Sequence, residues 1–440
     1  MRGMALPCLL LPLLAPLSLA EVHHVSPGSS GGISGATAIA ASGDIIVLAD
    51  GIYTGSENRD CLIEDKHIVI RSESGDPSQC IVDCQDGGRG FHFFVTEDDY
   101  FTRNALFEGI TIRNGSAIDY GGAILVEGPG KPLFLNCVFE NCYSGYAGGA
   151  VADIYSSYPS YAHCTFLGNH SGTGQYGFGG AIYSGHESTI DVSNCTFIAN
   201  TAVMRGGAVS CHNRCDGRFE NCTFSLNHSP KGAALGHKLY ADVQMRNCII
   251  AFNTGGSAVF CQELAESFLS CCDVFGNEGG DWVGCLQGQY GQYGNIQEDP
   301  LFCDLSGGDF HLADESPCLP FSSPNPFCNL IGAWGPGCAA ADVVEEGMTS
   351  RMLWVRAPAP ATELATIQFH TPQAGHVEID LFDATGRFLR TILAEELEAG
   401  THRHQLDLSA LGNRAEHAGM FYLRLRAHGE EDSAPLLLVR

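Results

Sequence analysis

Gly121-Gly122-Ala123-Ile124 returns as Gly148-Gly149-Ala150-Val151, Gly179-Gly180-Ala181-Ile182 and Gly206-Gly207-Ala208-Val209, then more loosely at Gly232-Ala233-Ala234-Leu235 and Gly256-Ser257-Ala258-Val259. About fifteen residues after each block stands a second tetrad: Asn136-Cys137-Val138-Phe139, His163-Cys164-Thr165-Phe166, Asn194-Cys195-Thr196-Phe197, Asn221-Cys222-Thr223-Phe224, Asn247-Cys248-Ile249-Ile250 and, weaker, Cys271-Cys272-Asp273-Val274. The cysteines advance by 27, 31, 27, 26 and 24 residues, and the glycine blocks advance identically. A repeat of that length, with no 3.6-residue periodicity and with short alternating segments broken by Gly and Asn, predicts the coils of a parallel β-helix. Each coil stacks on the next at strand spacing, about 4.8 Å.

Stacking turns the repeat into columns. Cys137, Cys164, Cys195, Cys222 and Cys248 are expected to form one interior column, with Phe139, Phe166, Phe197 and Phe224 beside it. In Leu133 to Phe139 the odd positions are expected to share the inward face. Asn114, Asn141, Asn169, Asn200, Asn227, Asn253 and Asn277 fall at the turn closing that strand, where Asn tolerates a left-handed backbone and stacked amides can bond to one another. Upstream, Asp44–Leu48, His67–Arg71, Gln79–Asp83 and Gly109–Asn114 read as earlier strands, and Val22 to Ala41 reads as a cap over the first open coil.

Composition agrees with a packed exported chain. It has 54 glycines, 20 cysteines and 23 basic against 50 acidic residues, a net charge of −27, and 45% hydrophobic residues. Disorder is excluded by the hydrophobic content, collagen by the lack of a three-residue glycine rule, and nucleic acid or an anionic membrane surface disfavoured as partner by the charge. Residues 1–20 read as a signal peptide: Arg2, an apolar Pro-broken run too short for a span, then Ser18-Leu19-Ala20 with small residues at −3 and −1. Its removal leaves 19 cysteines and a charge of −28, from the loss of Cys8 and Arg2.

On the motifs quoted above, residues 21–338 resemble the secreted right-handed β-helix proteins of the pectin-lyase-like superfamily. The paired Gly-Gly-Ala-Ile and Phe-x-x-Asn signatures (Phe166 to Asn169, Phe197 to Asn200, Phe224 to Asn227) are also similar to polymorphic outer-membrane adhesin repeats. Asn295 to Phe302, Gly308 to Leu312, Ser316-Pro317-Cys318 and Leu330 to Ala333 resemble the terminal module of bacterial surface β-helix proteins, although Pro320-Phe321 replaces the commoner Asp-x-Gly. After Cys338 the cysteines stop. Residues 339–360 read as a linker, and residues 361–440 as a small β-sandwich. Its landmarks are Leu381 to Arg387, with a hairpin turn at Asp383–Arg387, then Ala399-Gly400-Thr401-His402, Gly419-Met420-Phe421-Tyr422 and the closing Leu436 to Arg440. This part resembles the Ig-like C-terminal domain of flagellar hook-capping proteins. The resemblance implies export, and recognition by bacterial export or anchoring machinery at the cell surface. The expected fold class is all-β: a right-handed parallel β-helix followed by an Ig-like sandwich.

Chemistry is thinner. Ladder thiols are expected to be mostly free; the better bridging candidates are Cys211 with Cys215, Cys318 with Cys328 or Cys338, and Cys61, Cys80 or Cys84. Without paired CxxC sets no zinc is expected. Related β-helix enzymes cleave polysaccharides with calcium and an arginine base or with paired aspartates. The matching candidates are Asp83, Asp86 and Arg89, the acidic run Glu97-Asp98-Asp99, and Asp153, His186, Glu187 and Asp191 as single polar residues on coil surfaces. No carboxylate recurs in register between Gly121 and Asn277. No cofactor is expected beyond calcium for a lyase. Tyrosines crowd the projecting loops: Tyr143, Tyr146, Tyr155, Tyr158, Tyr161, Tyr176 and Tyr183, then Tyr290 and Tyr293. Exposed rings stack on sugars or anchor proteins. The first expectation is therefore an adhesive or glycan-binding scaffold whose partner is a polysaccharide or cell-surface component; the alternative is a polysaccharide lyase or glycoside hydrolase.

Overall fold

The computed structural model describes residues 20–96, 104–338, 354–356, 364–371, 373–383, 387–407, 419–428 and 430–438. The residues before Ala20 that were read as a signal peptide, the acidic run Glu97-Asp98-Asp99, most of the stretch read as a linker and Ala384 to Gly386 of the expected hairpin turn lie outside them. The chain divides into two compact units at Ala339/Ala340.

The first unit is a solenoid of about nine turns. Its strands form four parallel sheets of ten, nine, six and eight strands, each built from one strand per coil. A representative coil runs Leu133–Leu135, Val138–Glu140, Tyr143–Ser144 and Val151–Ile154, visiting the sheets in that order. Register is strict: Phe139 faces Phe166, Phe197 and Phe224 in turn. Val22–Val25 pairs with Ile45–Leu48 as the first strand of the ten-stranded sheet. The following helix Gly32–Ile39 buries Ile33 and Ala36.

The corners explain how the coil closes. Asn136, His163, Asn194, Asn221, Asn247 and Cys271 all sit at φ near +50°, the left-handed region that Asn tolerates best among residues with a side chain. That kink breaks the two-residue alternation. Phe134, not Leu133, therefore points inward, in a column with Phe107 and Tyr161. This corrects the expected shared face of Leu133, Leu135, Cys137 and Phe139, because an alternation does not survive a left-handed residue. The second corner uses two solutions. Asn114 and Asn141 are themselves left-handed. In later coils one extra residue precedes the Asn, and Gly168, Ala199, Leu226, Phe252 or Gly276 takes the positive φ instead. The freed asparagines turn inward and bond coil to coil. Nδ2 of Asn169, Asn200, Asn227 and Asn253 donates to Oδ1 of the next Asn at 2.9, 3.0, 2.9 and 2.8 Å. The same oxygen also accepts the preceding asparagine's backbone N–H.

The third corner needs glycine. Gly121, Gly148, Gly179 and Gly206 have φ of +61° to +67°, and a Cβ on Gly180 would lie 2.1 Å from the Gly207 carbonyl. Inside, Phe139, Phe166, Phe197 and Phe224 stack at 4.6–4.8 Å. The column cysteines are buried and unbridged, as are Cys61, Cys80, Cys84, Cys211, Cys215 and Cys318. Burial raises the thiol pKa of Cys137, Cys164, Cys248 and Cys272 well above the usual value, so they act as small hydrophobes.

The bridges lie elsewhere than expected: Cys261–Cys285, Cys271–Cys328 and Cys303–Cys338. Each ties the segment following the last coils, where parallel pairing has run out. Cys211 and Cys215 instead face the core, and Cys318 donates its thiol to Asp273. Beyond the coils, Phe302–Asp304 pairs antiparallel with Asp309–Leu312, and Leu330 to Trp334 turns back over the nine-stranded sheet. There Trp334 Nε1 donates to Thr196 Oγ1 at 2.8 Å and Ala333 N to Thr223 Oγ1 at 3.0 Å.

The second unit contains two small antiparallel sheets among its described residues, one of three strands and one of four. Trp354–Arg356, within the stretch read as linker, is an edge strand against Leu364–Thr371. Ile367, Phe369 and Leu406 of one sheet share a core with Ile379, Leu381, Leu423 and Leu425 of the other.

The corner asparagines give the first prediction. Asn200→Ala strands the Asn169 N–H and the Phe166 carbonyl, each a buried polar group costing about 1–3 kcal/mol when unpaired. Urea unfolding followed by circular dichroism should show a loss of about 3 kcal/mol, whereas Gly35→Ala, on an open helix position, should gain up to about 1 kcal/mol.

Candidate functional site

The most developed surface lies on the outer face of the eight-stranded sheet. Two columns build it. Register aligns Leu125, Ala152, Tyr183, Ser210, Gly236 and Phe260 on successive strands. Bridges align Tyr120, Ala147, Phe178 and Arg205, the residues immediately before successive glycine blocks. The small residues Ala147 and Ala152 leave room for rings from neighbouring coils. Tyr120 lies 5.1 Å from Tyr146 and 5.9 Å from Tyr183; Tyr146 lies 5.8 Å from Tyr176 and 5.6 Å from Phe178. His212 closes the group, 4.9 Å from Phe178 and 5.3 Å from Tyr183. Tyr155, at a left-handed corner, packs against His186 at 5.0 Å.

The stripe has a buried floor and an exposed rim. Tyr183 is 5% exposed, whereas Tyr155 and Tyr176 are 51% and 57% exposed. Burial, with neighbouring phenols, raises Tyr120 to about 12. Burial and the nearby Arg205 hold His212 down to about 3, so at neutral pH it is an uncharged ring. Ser210 Oγ donates to the Gly236 carbonyl at 2.9 Å and contacts His212 Nε2 at 3.0 Å, which makes that nitrogen the donor. One coil on, the stripe turns cationic. Arg205 packs over Phe260 at 5.4 Å and donates from Nη2 to Gln262 Oε1, and Lys231 lies 5.9 Å from the same ring. Rings on three consecutive coils span about 10 Å at strand spacing.

Of the tyrosines singled out in the sequence, Tyr146, Tyr176 and Tyr183 meet here, while Tyr155 lies beyond the other end of Val151–Ile154 on His186. Tyr143 is on the six-stranded sheet, stacked on His170 at 5.7 Å. Tyr158 carries Lys131 over its ring at 5.4 Å. Tyr290 and Tyr293 follow the last coil; Tyr290 lines a cavity of about 350 Å³ with Gln297, Glu298, Asn325 and Phe327. Tyr161 is no loop residue: it is 1% exposed and fills the Phe134 column of the core. Tyr120, Phe178, His212 and Arg205 were missed, although their position relative to each glycine block was readable.

The carboxylate candidates do not converge. Asp83 accepts from Arg113 Nε and Asn114 Nδ2, both at 2.9 Å, and from Gln85 N. Burial pushes its pKa up, but these bonds outweigh it and hold the carboxyl below the usual range. Asp86 is an exposed corner residue. Arg89 reaches the other way, to Asp119 Oδ1 at 2.8 Å and the Tyr120 carbonyl at 3.0 Å, where it braces the loop that carries Tyr120. Asp153 is not on the surface but fully buried on the inner face, accepting from Tyr161 Oη at 2.9 Å. Desolvation raises it to about 8. It heads an interior file with Ser184, Cys211 and His237. The Ser184 hydroxyl and both His237 ring nitrogens have no hydrogen-bond partner among the described residues. Among those residues Glu21, His23 and Asp44 bring three possible metal-ligand atoms within 4.8 Å of one another; neither Asp83, Asp86 nor Asp153 belongs to such a group.

The family model described as a right handed beta helix region matches residues 49–235. A crystal structure of the pectate lyase Pel9A is similar with a TM-score of 0.37 and 12% identity, covering 73% of this chain and 98% of that one. No curated protein matches the chain in sequence. The family match, together with the four parallel sheets, makes the class a right-handed parallel β-helix. No described helix is long and apolar enough to cross a membrane.

Asp153 yields a pH prediction. Its pKa is about 8 folded against 3.8 in the unfolded chain, so only the unfolded state ionises as pH rises above 4. Stability falls across pH 4 to 8, and the loss is complete above 8. Asp153→Asn should remove its share of that slope and leave the share of Asp273, which burial raises to about 7. Melting curves at pH 5 and pH 8 should show the wild type losing a few kcal/mol relative to the variant.

Proposed function

We propose that this chain is an exported, surface-associated β-helix that binds glycan chains, without cleaving them, through the aromatic stripe centred on Tyr146 and Tyr176, with Tyr155 on His186 as a further contact. The observation that carries this reading is the run of rings on consecutive coils, with its exposed rim over a fixed aromatic floor. Sugar rings present apolar C–H faces that stack on such surfaces, and rings already held by neighbours lose little entropy on binding. The uncharged His212 adds a further aromatic wall. The cavity beside Tyr290 is a second place where a saccharide unit fits, and Tyr143, Tyr158 and Tyr293 are secondary contacts. The binder reading is favoured over a lyase or hydrolase because Asp83 and Arg89 are engaged in separate coil-to-coil bonds and Asp153 is buried.

Export is part of the same proposal. The features supporting it are the signal-peptide pattern of residues 1–20 and three disulfides, which persist in oxidising compartments. We read residues 361–440 as an Ig-like sorting or anchoring domain, on the strength of the sequence landmarks and two small sheets sharing a core. The adhesive role follows from anchoring a glycan binder at a cell surface.

The test is an affinity series on neutral and uronic-acid oligosaccharides. Tyr146→Ala or Tyr176→Ala should weaken binding about 5- to 10-fold, in line with about 1 kcal/mol per stacked ring, and leave melting nearly unchanged for the exposed Tyr176. Affinities that ignore both substitutions would remove the stripe from the account. Appearance of an ultraviolet-absorbing β-elimination product, with or without calcium, would replace the binder with a lyase. Deletion of residues 361–440 should shift the exported protein from the cell surface to the medium, as read by fractionation.

A further inference from the structure

The first strand begins at Val22, directly after an exposed Ala20-Glu21 junction. The backbone nitrogen of Glu21 lies 2.9 Å from Oδ1 of Asp44. Asp44 is only 6% exposed. Its other oxygen accepts from Ala41 N at 2.8 Å and meets His23 Nε2 at 3.0 Å. The Glu21 carboxylate belongs to the same cluster, its oxygen within 4.8 Å of the Asp44 and His23 atoms. A buried carboxylate, a second carboxylate and a backbone nitrogen thus converge at the one peptide bond that the Ser18-Leu19-Ala20 pattern marks for cleavage. The cluster is held in place by the sheet itself, since Ile45 N donates to the Glu21 carbonyl at 2.9 Å.

We propose that this cluster is a docking site for the protein's own mature N-terminus, completed only when the leader is removed. The inference rests on the export reading given above. An exported-protein signal peptidase adds water across the Ala20–Glu21 bond. The carbonyl of Ala20 leaves as a carboxylate with the leader, and Glu21 keeps its nitrogen as a protonated α-ammonium. The neutral amide hydrogen bond to Asp44 becomes a charge-assisted one, which is shorter and stronger than its neutral counterpart. Hydrogen bonds from His23, Glu21 N and Ala41 N already keep Asp44 ionised, at a pKa of about 2. The device fastens the first strand of the ten-stranded sheet to the second, at the open end where the solenoid has no preceding coil. Before cleavage the first coil is held more weakly, which suits a chain that must cross a membrane before it folds.

The experiment compares two forms of the full mature chain in the presence of a chelator, so that no divalent cation substitutes for the ammonium. One begins at Glu21, released by a protease that leaves no extra residue; the other retains Ala20, which keeps the nitrogen as an amide. The Glu21 form should melt several degrees higher, and its Val25 and Val47 amides should exchange with deuterium at least 5-fold more slowly. In Asp44→Asn the difference between the two forms should vanish. Should Asp44→Asn fail to fold, the exchange comparison on the wild-type pair decides alone. Equal melting and equal exchange in the two wild-type forms overturn the inference, as does a difference that persists undiminished in a folded Asp44→Asn. The N-terminal mass of the exported protein separates the two levels. Cleavage elsewhere than Ala20–Glu21 refutes the maturation reading and this inference together, whereas cleavage there with equal stabilities refutes the inference alone.

Discussion

A parallel solenoid stands or falls on its corners, and in this chain the decisive contact is the buried asparagine ladder. A coil of four short strands has little internal pairing, so its backbone groups must be satisfied by the coils above and below. Strand pairing does this along the sheets but not where the chain turns inward. From Asn169 to Asn277 the side-chain amides complete the bonding at the turn, and each oxygen from Asn200 onward accepts both an amide and a backbone N–H from the preceding coil. The geometry forces a neighbour into the left-handed region, and even Leu226 and Phe252 adopt it, at a cost of about 1–2 kcal/mol each. That such residues are held there shows how strongly the ladder constrains the corner.

Much of this was legible in the sequence because it repeats. The cysteine, phenylalanine and glycine spacings revealed the coil length, and strict register placed Phe139, Phe166, Phe197 and Phe224 in one stack. What failed was phase. Alternation along a strand assigns faces only while the backbone stays extended, and Asn136 resets it. Leu133 and Phe134 thereby exchanged faces, and Tyr161, two coils beyond Phe107, was read as a loop residue when it fills the core. Asp153 went astray for a related reason: a carboxylate reads as solvated, yet here Tyr161 and a proton let it stay inside. The disulfides were unreadable because they join segments beyond the repeat, where no column relates one cysteine to another.

The candidate site shows the same division. Clustering of tyrosines was visible, but which of them share a surface depended on register between loops of unequal length. Tyr120, Phe178 and Arg205 line up because each precedes a glycine block that cannot move: a Cβ at Gly149 or Gly180 would strike the carbonyl of the next coil. The glycines that build the fold therefore also position the outer stripe. Arg89 connects the two levels, bridging from one coil to the loop of Tyr120. Core and surface are coupled through the backbone, and each ring of the stripe is held against rings of adjacent coils.

The most direct test of that claim is hydrogen–deuterium exchange of the full mature chain with and without a saturating oligosaccharide. The account predicts protection confined to the segments carrying Tyr120, Tyr146, Tyr155 and Tyr176, with no change in the interior strands. Protection centred on Asp83 to Arg89, or none along the eight-stranded sheet at saturation, would contradict it.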